Sequence, residues 1–467
     1  MVNPTKGAID LFHKGAIALS QVEANGLMVD KSYLEKAIIR VTKKIKRLEE
    51  ELLDHKIYKK VWKKKFRNKA KLGSRSQLGT IFFDELGYER NKITTAKEKN
   101  GERAFEGIDE SFLTTYFDCE RLKKALSTNL KGIQREISLV DRIHPMFDLN
   151  MASTYRSSSQ RPNIQNQPIR NLDISKIVRK CIIAPPGYRI GELDYGGIEV
   201  CVSACYHKDP TMVKYIEDPA NDMHRDLAMQ CYMLKKKEVG KLIRYTAKNM
   251  FVFPQFYGSY FVDCAKNMWE ATTLLKLETE SCVLLKNHLK SKGIKRLGDI
   301  NPDPNTGRII TKTGTFLDHI REVEKDFWER RFRVYAQWKK DWWDQYLERG
   351  WIRLKTGFVC QGMLDRKQCC NWPIQGSAFH CLLWSMIQLQ DWLNKKGMKT
   401  KIIAEIHDSM VIEFYIPEID RVLRKAKQIM TEKIREHWKW ISIPLTVEAE
   451  IAPEEKSWYE KESYEIK

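Results

Sequence analysis

Residues 188–200 read YRIGELDYGGIEV, and the position of one carboxylate in this stretch decides the fold. The apolar run reads as a strand that delivers Asp194 to a turn-like Tyr-Gly-Gly. A second run, TKIIAEIHDSMVIEFYI (400–416), reads as another strand with Asp408 in its middle. A carboxylate inside a strand is costly unless it is paired or binds a cation. One such Asp is ordinarily a structural residue, whereas two in separate strands point to a shared divalent-metal site. Between and around these runs lie long helical segments, including 318–349 and 374–395. The alternation predicts an α+β fold, a sheet carrying both acidic motifs with helices packed around it. Gly and Pro clusters place loops at 184–187, 301–307 and 357–362.

At 467 residues the chain is long enough for two to four domains. Its formal charge of +20 predicts a polyanionic partner, nucleic acid before an anionic membrane surface. No apolar run is long enough to cross a bilayer, and the N-terminus lacks the layout of a secretion signal. The 11 cysteines form no paired CxxC pattern, which argues against zinc and for small buried residues kept reduced in a cytosol. From Asp30, a capping residue, Leu34, Ile38, Val41, Ile45, Leu48 and Leu52 recur at helical spacing. The basic run YKKVWKKKFRNKAKLGSRSQ (58–77), with Trp62 and Phe66 interleaved, reads equally as a solvated face or a phosphate-tracking surface.

The stretch RYTAKNMFVFPQFYGSY (244–260) supplies the complementary charge. On a helix Arg244 and Lys248 share a face and could clamp a triphosphate; a surface helix with scattered cations is the plainer reading. Carboxylates holding magnesium opposite cations holding phosphates is the layout of nucleotidyl transfer.

The motifs, taken in order, resemble the polymerase portion of family A DNA polymerases, the bacterial DNA polymerase I type, with phage members nearest. VEANGLMVD (22–30) and LGSRSQLGTIFFDELGY (72–88) resemble the entry to that domain and its thumb. RIHPMFDLNMASTYRSSSQRPNIQNQPIR (142–170) resembles the thumb-to-palm stretch, LDYGGIEV motif A, and RYTAKNMFVFPQFYG motif B. NWPIQGSA (371–378) and IHDS (406–409) resemble the last two palm motifs. The resemblance implies a right-hand polymerase fold with an antiparallel palm sheet, a helical thumb and helical fingers. It implies a lead-in at 1–20, thumb and thumb-to-palm segment at 21–170, palm at 171–230, fingers at 231–350, and palm with a C-terminal tail at 351–467.

Carried over residue by residue, Asp194 and Asp408 would hold two magnesium ions about 4 Å apart, with the Tyr195 carbonyl as a further ligand and manganese able to substitute. Glu199 would exclude a ribose 2′-hydroxyl. His224, Arg244 and Lys248 would grip the triphosphate of a dNTP, with Tyr257 on the same helix. Arg156, Gln165, Asn166, Arg170 and Gln375 would contact primer–template DNA, with His407 near the primer terminus. The chain departs from the family at Gly196, Gly197 and Cys201 in motif A, and at Ser409, where a Glu is usual. No exonuclease motif is found, so proofreading is expected from a separate chain, and a processivity protein is a further candidate partner. The expected setting is the cytoplasm, that of a bacterial host if the chain is phage-encoded. A single-subunit RNA polymerase and a non-catalytic nucleic-acid-binding relative are the rival readings.

Motif B also poses a question of register. Lys248 to Tyr257 is one residue longer than the family spacing, and Pro254 cannot donate to the Met250 carbonyl. A one-residue π-bulge would align Arg244, Lys248, Phe253 and Tyr257. Phe253 is then the ring expected against the incoming nucleotide, with Phe251 the alternative.

Overall fold

The structure, a computed structural model, describes residues 2–89, 100–105, 108–168, 172–218, 220–279, 283–303 and 306–466. The chain opens on helix α1 (Lys6–Asn25), whose first turn is capped by the Thr5 hydroxyl accepting from the Ala8 N–H. Leu11, Leu19 and Val22 of this helix enter the main core. Helix α2 (Lys31–Asp54) starts where Asp30 accepts from the Tyr33 N–H. Its stripe of Leu34, Val41, Ile45, Leu48 and Leu52 is buried, in one core with Phe112, Tyr116 and Phe117 of α3 (Ser111–Lys124). Trp62 of the basic run is fully buried in the same core, donating its indole N–H to Gln77 Oε1 at 2.9 Å. The Lys side chains around it are exposed. Trp62 is therefore a packing residue, and the run presents charge without that ring.

Strand β1 (Tyr188–Tyr195) leads into α4 (Ile198–His207), followed by α5 (Met223–Tyr232) and α6 (Lys241–Ala247). Later come α7 (Phe316–Asp326), α8 (Arg333–Arg349) and α9 (Arg366–Lys395), then strands β2 (Lys401–Ile406), β3 (Ser409–Tyr415), β4 (Val447–Ile451) and β5 (Glu462–Ser463). The five strands form one antiparallel sheet in the order β5-β4-β1-β3-β2. Because side chains alternate across a strand, Leu193, Met410, Ile412 and Phe414 enter one core, and Ile190 and Val411 the other. Burial on both faces explains why these strands read as nearly continuous apolar runs.

Three expectations need correction. The run 400–416 is not one strand but the β2–β3 hairpin, so Asp408 lies on its two-residue turn. The segment 357–362 is not all loop, since Val359–Gln361 pairs with Trp351–Arg353. The helix placed at 374–395 begins at Arg366, with Asp365 and Gln368 forming a capping box, and runs through Pro373. A proline there strips the Cys369 carbonyl of its helical donor. The Trp342 indole N–H of α8 takes that place at 3.1 Å, so the helix continues unbroken. Every cysteine among the described residues is free and buried, and no described helix is long and apolar enough to cross a membrane.

Candidate active site

The sheet register sets the carboxylates. Asp194, at the penultimate position of β1, faces Ser409 of β3 on one side and Glu448 of β4 on the other. The β2–β3 turn holds His407 with φ 61°, and Asp408 next to it. The Tyr195 N–H donates to the Asp408 carbonyl at 3.4 Å, joining the turn to the end of β1. Asp194 Oδ1 is buried with no hydrogen-bond partner. Burial first, then the charges of Asp408 and Glu448, pushes the Asp194 carboxyl up to about 7, and burial likewise raises Asp408. A carboxylate with one buried, unpartnered oxygen beside a second carboxylate is a site short of positive charge. Among the described residues no group of three or more His, Cys, Asp or Glu side chains forms a metal cage. Magnesium, however, is commonly held by one or two carboxylates with substrate phosphates and water, and the Asp194–Asp408 pair fits that pattern. The Tyr195 ring lies in the core, its hydroxyl bonded to Ser385 and donating to the Met430 carbonyl, so only its backbone remains for ligation.

The two glycines that depart from the family pattern have local causes. A Cβ on Gly196 would collide with the Thr446 hydroxyl, and Gly197 adopts φ 62° at the start of α4. In the first turn of α4, Glu199 lines a cavity of about 370 Å³. Arg156 pairs with its Oε1, and the Tyr257 hydroxyl donates to its Oε2. Arg156, Phe253, Tyr257, Gln375, His407 and Asp408 share the cavity wall, with Asn371 added from α9. The structure thus brings together in one space residues drawn from five separate motifs.

The segment 244–260 contains the extra residue. After α6 the backbone makes a π turn over Lys248–Val252, in which the Phe253 N–H reaches the Lys248 carbonyl five residues back. Pro254 then sits in the first turn of the segment Phe253–Phe256, where its missing N–H does least harm. Phe251 is fully buried, edge-on to Phe327 at 5.5 Å. Phe253 turns to the cavity, with Lys248 Nζ 5.0 Å from its ring centre and the His224 ring edge-on at 5.8 Å. His224, in the first turn of α5, has a buried Nδ1 without a partner. Burial, then Lys248 and Arg244, lowers its pKa to about 4, so it is neutral at neutral pH and can donate one N–H. Arg244 is oriented by Asp222, Nε to Oδ2 at 2.6 Å. Two substitutions separate the rings. Phe253→Ala is expected to raise the KM for nucleotide, whereas Phe251→Ala is expected to cost about 3–5 kcal/mol of stability, read by denaturant unfolding.

The segment after Arg156 is more structural than expected. Gln165 is buried, its amide donating to Ser157 Oγ at 2.7 Å and Glu405 Oε2 at 3.0 Å, so its side chain does not lie open on the surface. Asn166 is exposed, and Arg170 lies outside the described residues. The Ser157 hydroxyl also donates to Glu405 Oε2. Glu405 was missed in the sequence because an acid in a strand pattern reads as the solvent-facing position. Here it is fully buried, and burial pushes its carboxyl up from the ordinary 4.5 to about 7. The folded chain then keeps a proton that the unfolded chain releases, so stability falls as pH rises between about 4.5 and 7. Glu405→Gln is expected to flatten that slope in melting temperature against pH.

The fold and this arrangement of carboxylates, cations and cavity define the class. The model of DNA polymerase family A matches residues 31–272 and 355–460, and the chain belongs to that family. It is 23% identical to the DNA polymerase of Bacillus phage SP01 over 94% of this chain and 49% of that protein. It is 24% identical to DNA polymerase I of Geobacillus stearothermophilus over 95% of this chain and 44% of that one. The chain therefore spans about half the length of these relatives. Among solved structures, the polymerase domain of Pol1 from M. smegmatis, in complex with DNA primer–template and dNTP, superposes with a TM-score of 0.73. That match covers 96% of this chain and 70% of the other at 20% identity, and shows the right-hand polymerase fold.

Proposed function

We propose that this chain is a DNA-directed DNA polymerase that extends a primer 3′-hydroxyl with dNTPs in the cytoplasm. The observation that carries the reading is the buried, partnerless Asp194 Oδ1 beside Asp408, which itself lines the cavity together with Phe253, Glu199 and Gln375. Asp194, Asp408 and the Tyr195 carbonyl would hold two magnesium ions, with manganese able to substitute. When bound, such ions lower the pKa of the primer hydroxyl and neutralise charge on the leaving pyrophosphate. The chain's own groups do the rest. Arg244, held by Asp222, and Lys248 would bind the triphosphate, and neutral His224 would donate to it. Phe253 would pack on the incoming nucleotide. Glu199, fixed at both oxygens, would stand where a ribose 2′-hydroxyl would fall. Arg156, Asn166, Gln375 and His407 would contact the primer–template, with Arg170 as a further contact and Gln165 held beneath by Ser157 and Glu405. The lobe of α2 and α3 would act as thumb, the sheet as palm, and the region from α5 to α8 as fingers.

Primer extension with dNTPs against rNTPs tests the sugar assignment. Glu199→Ala is expected to raise rNTP incorporation relative to dNTP by roughly 10²-fold, the scale of an unrelieved steric exclusion. Equal use of both by the unaltered chain would favour the RNA polymerase reading.

A further inference from the structure

Residues 273–315, between the helix Phe261–Ala271 and α7, lie in the stretch 273–354 that the family model leaves unmatched. Within them, residues 286–296 carry five cations, Lys286, Lys290, Lys292, Lys295 and Arg296, and no Asp or Glu. The segment docks through Leu285, Leu289 and Ile294, which enter the main core, so its apolar side is satisfied. Its charged side is not. All of these cations but Lys286 are exposed, and none of the five is ion-paired with a carboxylate among the described residues.

This segment abuts a second basic one, Lys235, Lys236, Lys237 and Lys241, at the entrance to α6. His288 Nε2 lies 3.1 Å from the Met233 carbonyl, and the Glu278 N–H donates to the Glu238 carbonyl at 3.3 Å. The Glu278 side chain closes on Gly240 so tightly that a Cβ there would strike it. On α6 itself, Tyr245 stands one turn beyond Lys241 with its side chain 65% exposed. The cations of the two segments outnumber Glu238 and Glu278, the carboxylates at their seam, and a polyanion offsets such a surplus. Flexible lysines beside an open aromatic ring suit a strand whose bases are unpaired, since cations track the backbone while a ring stacks on a base.

We propose that this joint surface, 235–245 with 286–296, binds single-stranded nucleic acid outside the primer–template duplex. The unpaired template strand is its source in the reaction proposed above, on which that part of the inference rests. The test needs no catalysis. Binding of a fluorescent dT30 oligonucleotide to the full chain is followed by anisotropy over a salt series in EDTA. Lys290→Ser/Lys292→Ser/Lys295→Ser/Arg296→Ser is expected to weaken binding at least tenfold near 0.1 M salt. The slope of log K against log salt should become shallower by about two to three units, at about 0.7 per lost contact. Tyr245→Ala should weaken dT30 binding with the slope unchanged. Affinity for a primer–template with a one-nucleotide overhang, and its extension, should stay as in the parent. Unchanged dT30 affinity and slope would overturn the proposal, even in a chain that extends primers normally. An equal loss on the short-overhang duplex would overturn its single-strand character. Failure of the parent chain to extend any primer would instead strike the polymerase reading, leaving the dT30 result to stand alone.

Discussion

Asp194→Ala is expected to lower magnesium-dependent primer extension by about 10⁴-fold or more while sparing DNA binding. Its Oδ1 is buried without a hydrogen-bond partner, and its carboxyl is held up near 7 by burial and by the charges of Asp408 and Glu448. A group so placed gains little from the protein alone. A divalent cation would reverse that balance, and loss of several kcal/mol of charge stabilisation corresponds to the stated factor. The fold should survive, because Asp194 forms no ion pair among the described residues and its strand is fixed by β3 and β4 on either side. Rapid-quench extension gives the rate, and anisotropy with labelled primer–template gives the affinity. Extension within tenfold of the parent would refute the metal assignment. Equal loss of DNA binding would point to damage of the sheet.

Lys248→Ala is expected to cost about 10²–10³ in kcat/KM for dNTP, the scale for removing one preorganised donor from a developing charge. Lys248 opens the π turn and sits over the Phe253 ring, so its ammonium and the ring address the same region. Its positive charge also helps to hold the His224 pKa low. Removing it should raise the His224 pKa, because a nearby positive charge no longer disfavours the imidazolium. An upward shift of that titration by NMR, together with the kinetic loss, would place both side chains in one anion site. A kinetic loss without any movement of His224 would separate them.

Much of this was legible in the sequence because the elements that matter are strongly patterned. Asp30 and the stripe after it gave a helix with its cap, and the two acidic runs gave the sheet. Pro254 and a surplus residue gave the π turn, since a missing donor in a helix leaves few other outcomes. What stayed hidden depended on tertiary partners. Nothing local says that the Trp342 indole N–H would rescue the helix through Pro373, or that Trp62 would leave the basic run for the core. Glu405 is hidden for the same reason: strand alternation assigns it to solvent, and only its contacts with Ser157 and Gln165 place it inside. The pairing of Arg244 with Asp222 likewise joins residues 22 positions apart, across a turn that no periodicity describes.

The central claim is that Asp194 and Asp408 form a magnesium site for nucleotidyl transfer onto a primer. Gel-based extension of a labelled primer on template DNA by the purified chain, with dNTPs and with or without magnesium, tests it most directly. The structure predicts stepwise extension that needs magnesium and is lost in Asp194→Ala. Absence of extension in magnesium, or extension that survives in Asp194→Ala, would contradict it.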